Sequence, residues 1–333
     1  MKINNMKPDQ TKNYPSAAKG RKIYLAPLED VSGYIFRNLL NRMFPGTDRF
    51  FTPFISAVEP GRNHKKREIL DVAPDNNESI ELVPQILTNN SRDFLYTAQW
   101  LIDKGYTEIN LNLGCPSKDV VMREKGSGFL SRPDRLDRFL HEVFDGLRQS
   151  EGIRISVKTR IGSRDSNNIE TLIEIFNRYP ISEVTVHPRL GKDFYRGTPD
   201  IEAFRKFYEE VHVPLVYNGD ILTCDDIRKT WNNYPGIKAI MIGRGFLRNP
   251  AIAREYKGGD ILTLQELREF AQRLYREYRA NLTADKYALD KMKELWGWLK
   301  DNPLLDGKQR SIRAILKAKN NAEYESALIQ VFK

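Results

Sequence analysis

Two cysteines among 333 residues, Cys115 and Cys224, leave no room for a disulfide framework or for a cysteine-rich metal site. They lie far apart and in unlike surroundings, which makes a reducing cytoplasm the simplest compartment. No run of about 18 apolar residues occurs, so no membrane span is expected. The first 21 residues lack an apolar stretch and read as a flexible polar lead-in, not a secretory signal. Acidic residues are the scarcer charge: 44 Asp+Glu against 53 Lys+Arg leave a net +9. That balance admits a polyanionic partner, although solubility alone would also account for it. A glycine-rich turn after the first strand is missing too. The segment from Ala26 to Gly33 is Ala-Pro-Leu-Glu-Asp-Val-Ser-Gly, which argues against an open dinucleotide-binding sheet, the runner-up architecture.

What is present is a rhythm. Short apolar, β-branched runs at 22–26, 50–55, 81–86, 108–113, 154–159, 183–187, 214–217 and 239–242 predict eight strands buried on both faces. Amphipathic stretches at 91–104, 133–149, 168–178 and 223–232 predict intervening helices, with Ser91 and Thr223 as N-caps and Pro133 in a first turn. Eight such units predict an α/β fold of the (β/α)8 TIM-barrel kind. Beyond residue 255 only helical periodicity continues. Leu264, Leu267, Phe270, Leu274 and Tyr278 form one stripe, and Met292, Leu295, Trp296 and Leu299 another. The expected organisation is a lead-in at 1–21, a barrel at 22–255 and a C-terminal all-helical domain at 256–333. The polar faces of that domain carry many Lys and Arg, either simply solvated or fit to grip a phosphate backbone.

Barrel chemistry sits at the C-terminal ends of strands. Ala26, Pro27 and Leu28 end the first predicted strand, Gln85 the third, and Asn112 to Pro116 the fourth. Lys158 to Arg160, His187 to Arg189, Asn218-Gly219-Asp220 and Gly243-Arg244-Gly245 end the remaining four. The last two loops bring bare glycine backbone and a cation, a combination suited to phosphate although ordinary turns share it. Lys158 points either into the barrel mouth, where it suits negative charge on an electron-rich ring, or into a structural ion pair. Gln85 and Asn112 suit the edge of a heterocycle or simply cap their strand ends. Cys115, in a Gly-Cys-Pro turn, reads as an acid, a nucleophile or an inert filler. The basic segment 117–128 after it reads as a mobile lid over a reactive thiol, whereas Cys224 reads as packing.

These residues carry a resemblance. Leu-Asn-Leu-Gly-Cys-Pro-Ser-Lys (111–118), Lys-Gly-Ser-Gly-Phe-Leu (125–130), Val-Lys-Thr-Arg-Ile-Gly (157–162), Tyr-Arg-Gly (195–197), Asn-Gly-Asp-Ile (218–221) and Met-Ile-Gly-Arg-Gly (241–245) occur in order. Over residues 22–255 the chain resembles the tRNA-dihydrouridine synthase family. The resemblance implies FMN at the barrel mouth, NADPH or NADH as reductant and tRNA as partner; no metal and a monomer are the accompanying expectations. It implies Cys115 as the acid that protonates C5 of a flipped-out uracil, with Asn112, Arg160 and Arg189 on the substrate side. Lys158, His187 and Gln85 would lie by the flavin ring with Ala26, Pro27 and Leu28. Asn218, Gly219, Gly243 and Arg244 would hold its phosphate, with Asp220 also on the cofactor side. The chain departs from the family pattern at Leu28 (usually Met), at Ser32-Gly33, at Pro53 and at Pro188, where Gly is commoner. An FMN barrel reductase of a small molecule, of the dihydroorotate or enoate type, is the alternative, with less use for a basic helical region.

Overall fold

The computed structural model describes residues 20–333, so nearly all of the expected lead-in lies outside the described residues. Among the described residues ten strands form: β1 Lys22–Leu25, β2 Arg49–Phe51, β3 Ile55–Ser56, β4 Leu82–Val83, β5 Gln85–Leu87, β6 Glu108–Leu113, β7 Arg154–Gly162, β8 Val184–Leu190, β9 Leu215–Asn218 and β10 Ala239–Ile242. Two of the eight expected runs are each broken in half, one around Pro53 and one at Pro84. Proline has no N–H to give to a ladder, so pairing lapses there. Thr52 bridges the lapse, its hydroxyl accepting the Gln85 N–H at 2.9 Å. The halves pair in kind, β2 with β4 and β3 with β5, and every ladder is parallel. The order is β3-β5-β6-β7-β8-β9-β10-β1-β2-β4. Because β2 runs into β3 and β4 into β5, its two ends belong to the same neighbouring runs, and the sheet curls into a TIM-type barrel.

Side chains alternate as the pleat demands. Ile23 and Leu25 join the layer under the helices, while Tyr24, Phe51, Val83, Val216 and Met241 fill the barrel interior. The N-terminal end is closed by charge: Tyr24 donates to Glu183 at 3.1 Å, and Arg49 pairs with Glu108 at 3.2 Å. Burial pushes the Glu183 carboxyl up to about 7. The helix Cys224–Asn233 starts at Thr223 in a capping box with Asp226, and Pro133 opens Pro133–Gly146. The helix Ser91–Ile102 is capped one residue earlier than expected. Asn90, not Ser91, accepts the Asp93 N–H, because Asn90 is the residue with extended backbone.

Helices Leu264–Asn281, Asp285–Leu299, Gln309–Lys317 and Asn321–Val331 follow the barrel. Both expected stripes are buried, except that Leu264 is half-buried. Phe270 packs edge-on against Phe36 and Phe44, at 6.0 and 5.4 Å, so one apolar core runs from the barrel into the helices. The helix Asp285–Leu299 brings the half-buried Trp298 to the barrel mouth. Among the described residues no helix is long and apolar enough to cross a membrane.

Candidate active site

A cavity opens at the C-terminal ends of the strands. Ala26, Pro27, Leu28, Lys158, His187, Asn218, Gly219, Asp220, Gly243 and Arg244 all line it, so five strand ends converge as the sequence predicts. Gln85 does not: it is fully buried, donating to Asn110 at 2.8 Å and accepting from Asn112 at 2.7 Å. Tyr195 also lines the cavity. Its ring is roughly half exposed, and the sequence offered only its place in Tyr-Arg-Gly as a signal.

Cys115 sits in a turn held from three sides. The Asn112 Oδ1 accepts the N–H groups of Gly114 at 3.0 Å and Cys115 at 2.9 Å. Arg160 donates through Nε to the Gly114 carbonyl at 3.0 Å. Ser127 donates its N–H and its hydroxyl to the Cys115 carbonyl, both at 3.0 Å. The segment 117–128 is therefore not an open lid. It folds as a short helix, Lys118–Met122, then enters a buried turn from Gly126 whose atoms pack on the thiol loop. Burial, foremost, pushes the Cys115 thiol up from its ordinary value, so at neutral pH the sulfur keeps its proton. A neutral thiol is a proton donor, not a nucleophile. Cys224 lies elsewhere, its sulfur against the Ile252 carbonyl and Glu255.

The cations of the mouth are of two kinds. Arg160 is buried and spends its guanidinium on the carbonyls of Gly114, Leu190 and Phe194. Arg189 is buried too, pairing with Asp220 at 2.5 Å and donating to the Gly197 carbonyl at 2.7 Å. Both were expected on the substrate side, yet their donors are occupied within the protein. Asn112 likewise spends its oxygen on the thiol turn. Asp220, with φ +45°, turns its carboxylate between Arg189 and Arg244. Arg244 lies 5.1 Å from the Tyr195 ring and 5.9 Å from Trp298, so a helix beyond the barrel contributes to the rim.

Lys158 is different. It is half-buried on β7 and meets no carboxylate among the described residues. Burial, and Arg160 next, push its ammonium down to about 7. His187 is held well below its ordinary value, first by burial and then by Lys158. Its Nε2 lies 3.0 Å from Arg189 Nη1, which can only donate, so the ring proton belongs on Nδ1. A lysine without a carboxylate partner, whose proton an anionic group would hold in place, beside a neutral imidazole makes a pocket for an electron-rich or anionic group. Among the described residues no group of His, Cys, Asp and Glu is arranged to hold a metal ion.

The chain is similar to known proteins over most of its length. The dihydrouridine synthase family profile matches residues 24–332. A probable tRNA-dihydrouridine synthase of Staphylococcus epidermidis is 30% identical over 255 residues, covering 73% of this chain and 75% of its own. The tRNA-dihydrouridine synthase B of Pasteurella multocida is 27% identical over 234 residues, covering 70% of this chain and 68% of its own. Among solved structures, a morphinone reductase superposes with a TM-score of 0.51 at 12% identity, over 73% of this chain and 87% of its own. A 2-naphthoyl-CoA reductase gives 0.54 at 11% identity, over 71% and 49%. These two share the fold.

Proposed function

Because the chain belongs to the dihydrouridine synthase family, a family of oxidoreductases, we propose that it reduces uridines of tRNA to 5,6-dihydrouridine, with FMN at the barrel mouth, NADPH or NADH as reductant and Cys115 as the proton donor. The observation that carries the site assignment is the unpaired Lys158. A half-buried ammonium with no carboxylate asks for a ligand with negative charge, and the pyrimidine edge of a flavin fits it. Lys158 and His187 would hold the ring, with Ala26, Pro27 and Leu28 alongside and Gln85 behind. Asn218, Gly219, Gly243 and Arg244 would hold the phosphate. Gly219 and Gly243 face that space as bare backbone, where a Cβ would meet the His187 ring and the Leu28 side chain at 3.4 Å.

When bound, the cofactor supplies the hydride that adds to C6 of the uracil. Cys115 gives its proton to C5, on a thiol that burial keeps protonated. Arg160 and Asn112 fix the turn that carries it, and Asp220 sets the angle between Arg189 and Arg244. A stacked base must leave its helix to reach the thiol, which requires a grip on the backbone. Lys300, Arg310, Arg313, Lys317 and Lys319 are exposed and form no ion pair among the described residues. We assign residues 22–255 the chemistry and 256–333 that grip. The test is the spectrum of the purified protein together with conversion of tRNA lacking dihydrouridine, with NADPH added. Flavin absorbance and new dihydrouridine are expected. A colourless protein indifferent to FMN contradicts the reading.

A further inference from the structure

The turn that carries Cys115 is cradled from beneath by Gly126, Ser127 and Gly191. Ser127 is fully buried, and both of its donors point at one acceptor, the Cys115 carbonyl. Gly126 makes this approach possible: its φ is +56°, and a Cβ there would lie 2.7 Å from the Cys115 carbonyl oxygen and 3.0 Å from the Cys115 Cβ. On the other side Gly191 closes over the serine, where a Cβ would stand 2.4 Å from Ser127 Oγ. Gly191 follows Leu190, whose carbonyl Arg160 binds at 2.7 Å while the same guanidinium binds Gly114. The serine thus joins the thiol turn to the loop after β8, and the two share Arg160 as a second tie.

Resting on the reading of Cys115 as the proton donor, we propose that Ser127 is a positioning residue: its hydroxyl fixes the Cys115 carbonyl, and so sets where the thiol stands over the cavity. The N–H of Ser127 alone leaves that carbonyl bonded but free to swing about one contact. Two donors from one residue, with Gly191 packed behind, leave a single orientation. Asn112 fixes the N–H side of the same residue, so loss of either brace frees one end of the turn. Ser127 touches no line of the cavity itself, and its effect must pass through Cys115.

The experiment uses the FMN-loaded full chain in a Cys224→Ser background, which leaves Cys115 as the lone thiol. Ser127→Ala is expected to lower kcat for tRNA about tenfold, with KM and flavin absorbance within twofold of the parent. The rate of Cys115 alkylation by iodoacetamide, followed against pH, is expected to rise several-fold as the turn loosens. Gly191→Ala, which pushes on the hydroxyl from the other side, is expected to do the same and serves where Ser127→Ala accumulates poorly. In a Cys115→Ala background, Ser127→Ala should change residual product formation by less than twofold. Alkylation profiles of both variants that superpose on the parent overturn the proposal, whatever the reaction proves to be. A further tenfold loss in the Cys115→Ala background overturns it as well, since the serine would then act on something other than the thiol.

Discussion

The side-chain oxygen of Asn112 accepts the main-chain N–H of Cys115 at 2.9 Å, while its amide nitrogen donates to Gln85 at 2.7 Å. The chain of bonds continues from Gln85 to Asn110, and from Asn110 to the Ser156 hydroxyl at 3.0 Å. The thiol is therefore anchored through amides to three neighbouring strands. Asn112→Ala strands the N–H groups of Gly114 and Cys115 and one oxygen of Gln85. Leaving a buried polar group unpaired costs about 1–3 kcal/mol. We expect urea unfolding to show a loss of about 2 kcal/mol, and dihydrouridine formation to slow by about tenfold with flavin still bound. Stability and rate both equal to the parent would remove Asn112 from this role.

Lys158 gives a pH signature in the flavin-free protein. Its folded value of about 7 lies below the ordinary value of about 10.4 for an unfolded lysine. Between those values the unfolded chain binds more protons than the folded one, so stability increases with pH. The contribution is complete above about pH 10.4 and is lost as pH falls towards about 7. The difference in unfolding free energy between the parent and Lys158→Met, measured across that window, should therefore slope in the parent's favour as pH rises. A flat difference contradicts the burial of an unpaired ammonium.

Arg244 is assigned to the phosphate. A charge-assisted hydrogen bond contributes about 1.5–3 kcal/mol. Arg244→Met is therefore expected to weaken FMN binding by about 10- to 100-fold. Riboflavin, which lacks the phosphate, should bind the variant and the parent alike. Titration by flavin fluorescence separates the two cases, and equal weakening for both ligands would place Arg244 against the ring or in the structure instead.

The barrel was legible because its strands are apolar on both faces and evenly spaced, and the convergence of Lys158, His187, Asn218 and Arg244 followed from strand ends alone. Other features depend on main-chain direction, which side-chain chemistry does not reveal. That Arg160 and Arg189 are consumed by carbonyls and Asp220 requires knowing how the loop after β8 folds back. The segment 117–128 is rich in charge and glycine and looks mobile, yet Gly126 and Gly128 are there for close packing on Cys115 and Val121. The part played by Trp298 follows from packing of the helix Asp285–Leu299 on the short helix Arg244–Arg248, tied by Asn302 donating to the Arg248 carbonyl at 2.8 Å, a contact that spacing along the sequence does not reveal.

The most direct test is a single-turnover comparison of Cys115→Ala with the parent, both loaded with FMN and reduced before tRNA lacking dihydrouridine is added. Proton donation by a placed side chain contributes about 100- to 10,000-fold. The variant should keep its flavin spectrum and its affinity for tRNA, and form dihydrouridine at least about 100-fold more slowly. The parent's rate should fall only at alkaline pH, above the ordinary thiol range of about 8.5, because burial raises the Cys115 thiol. Product formation by Cys115→Ala within twofold of the parent would contradict the account.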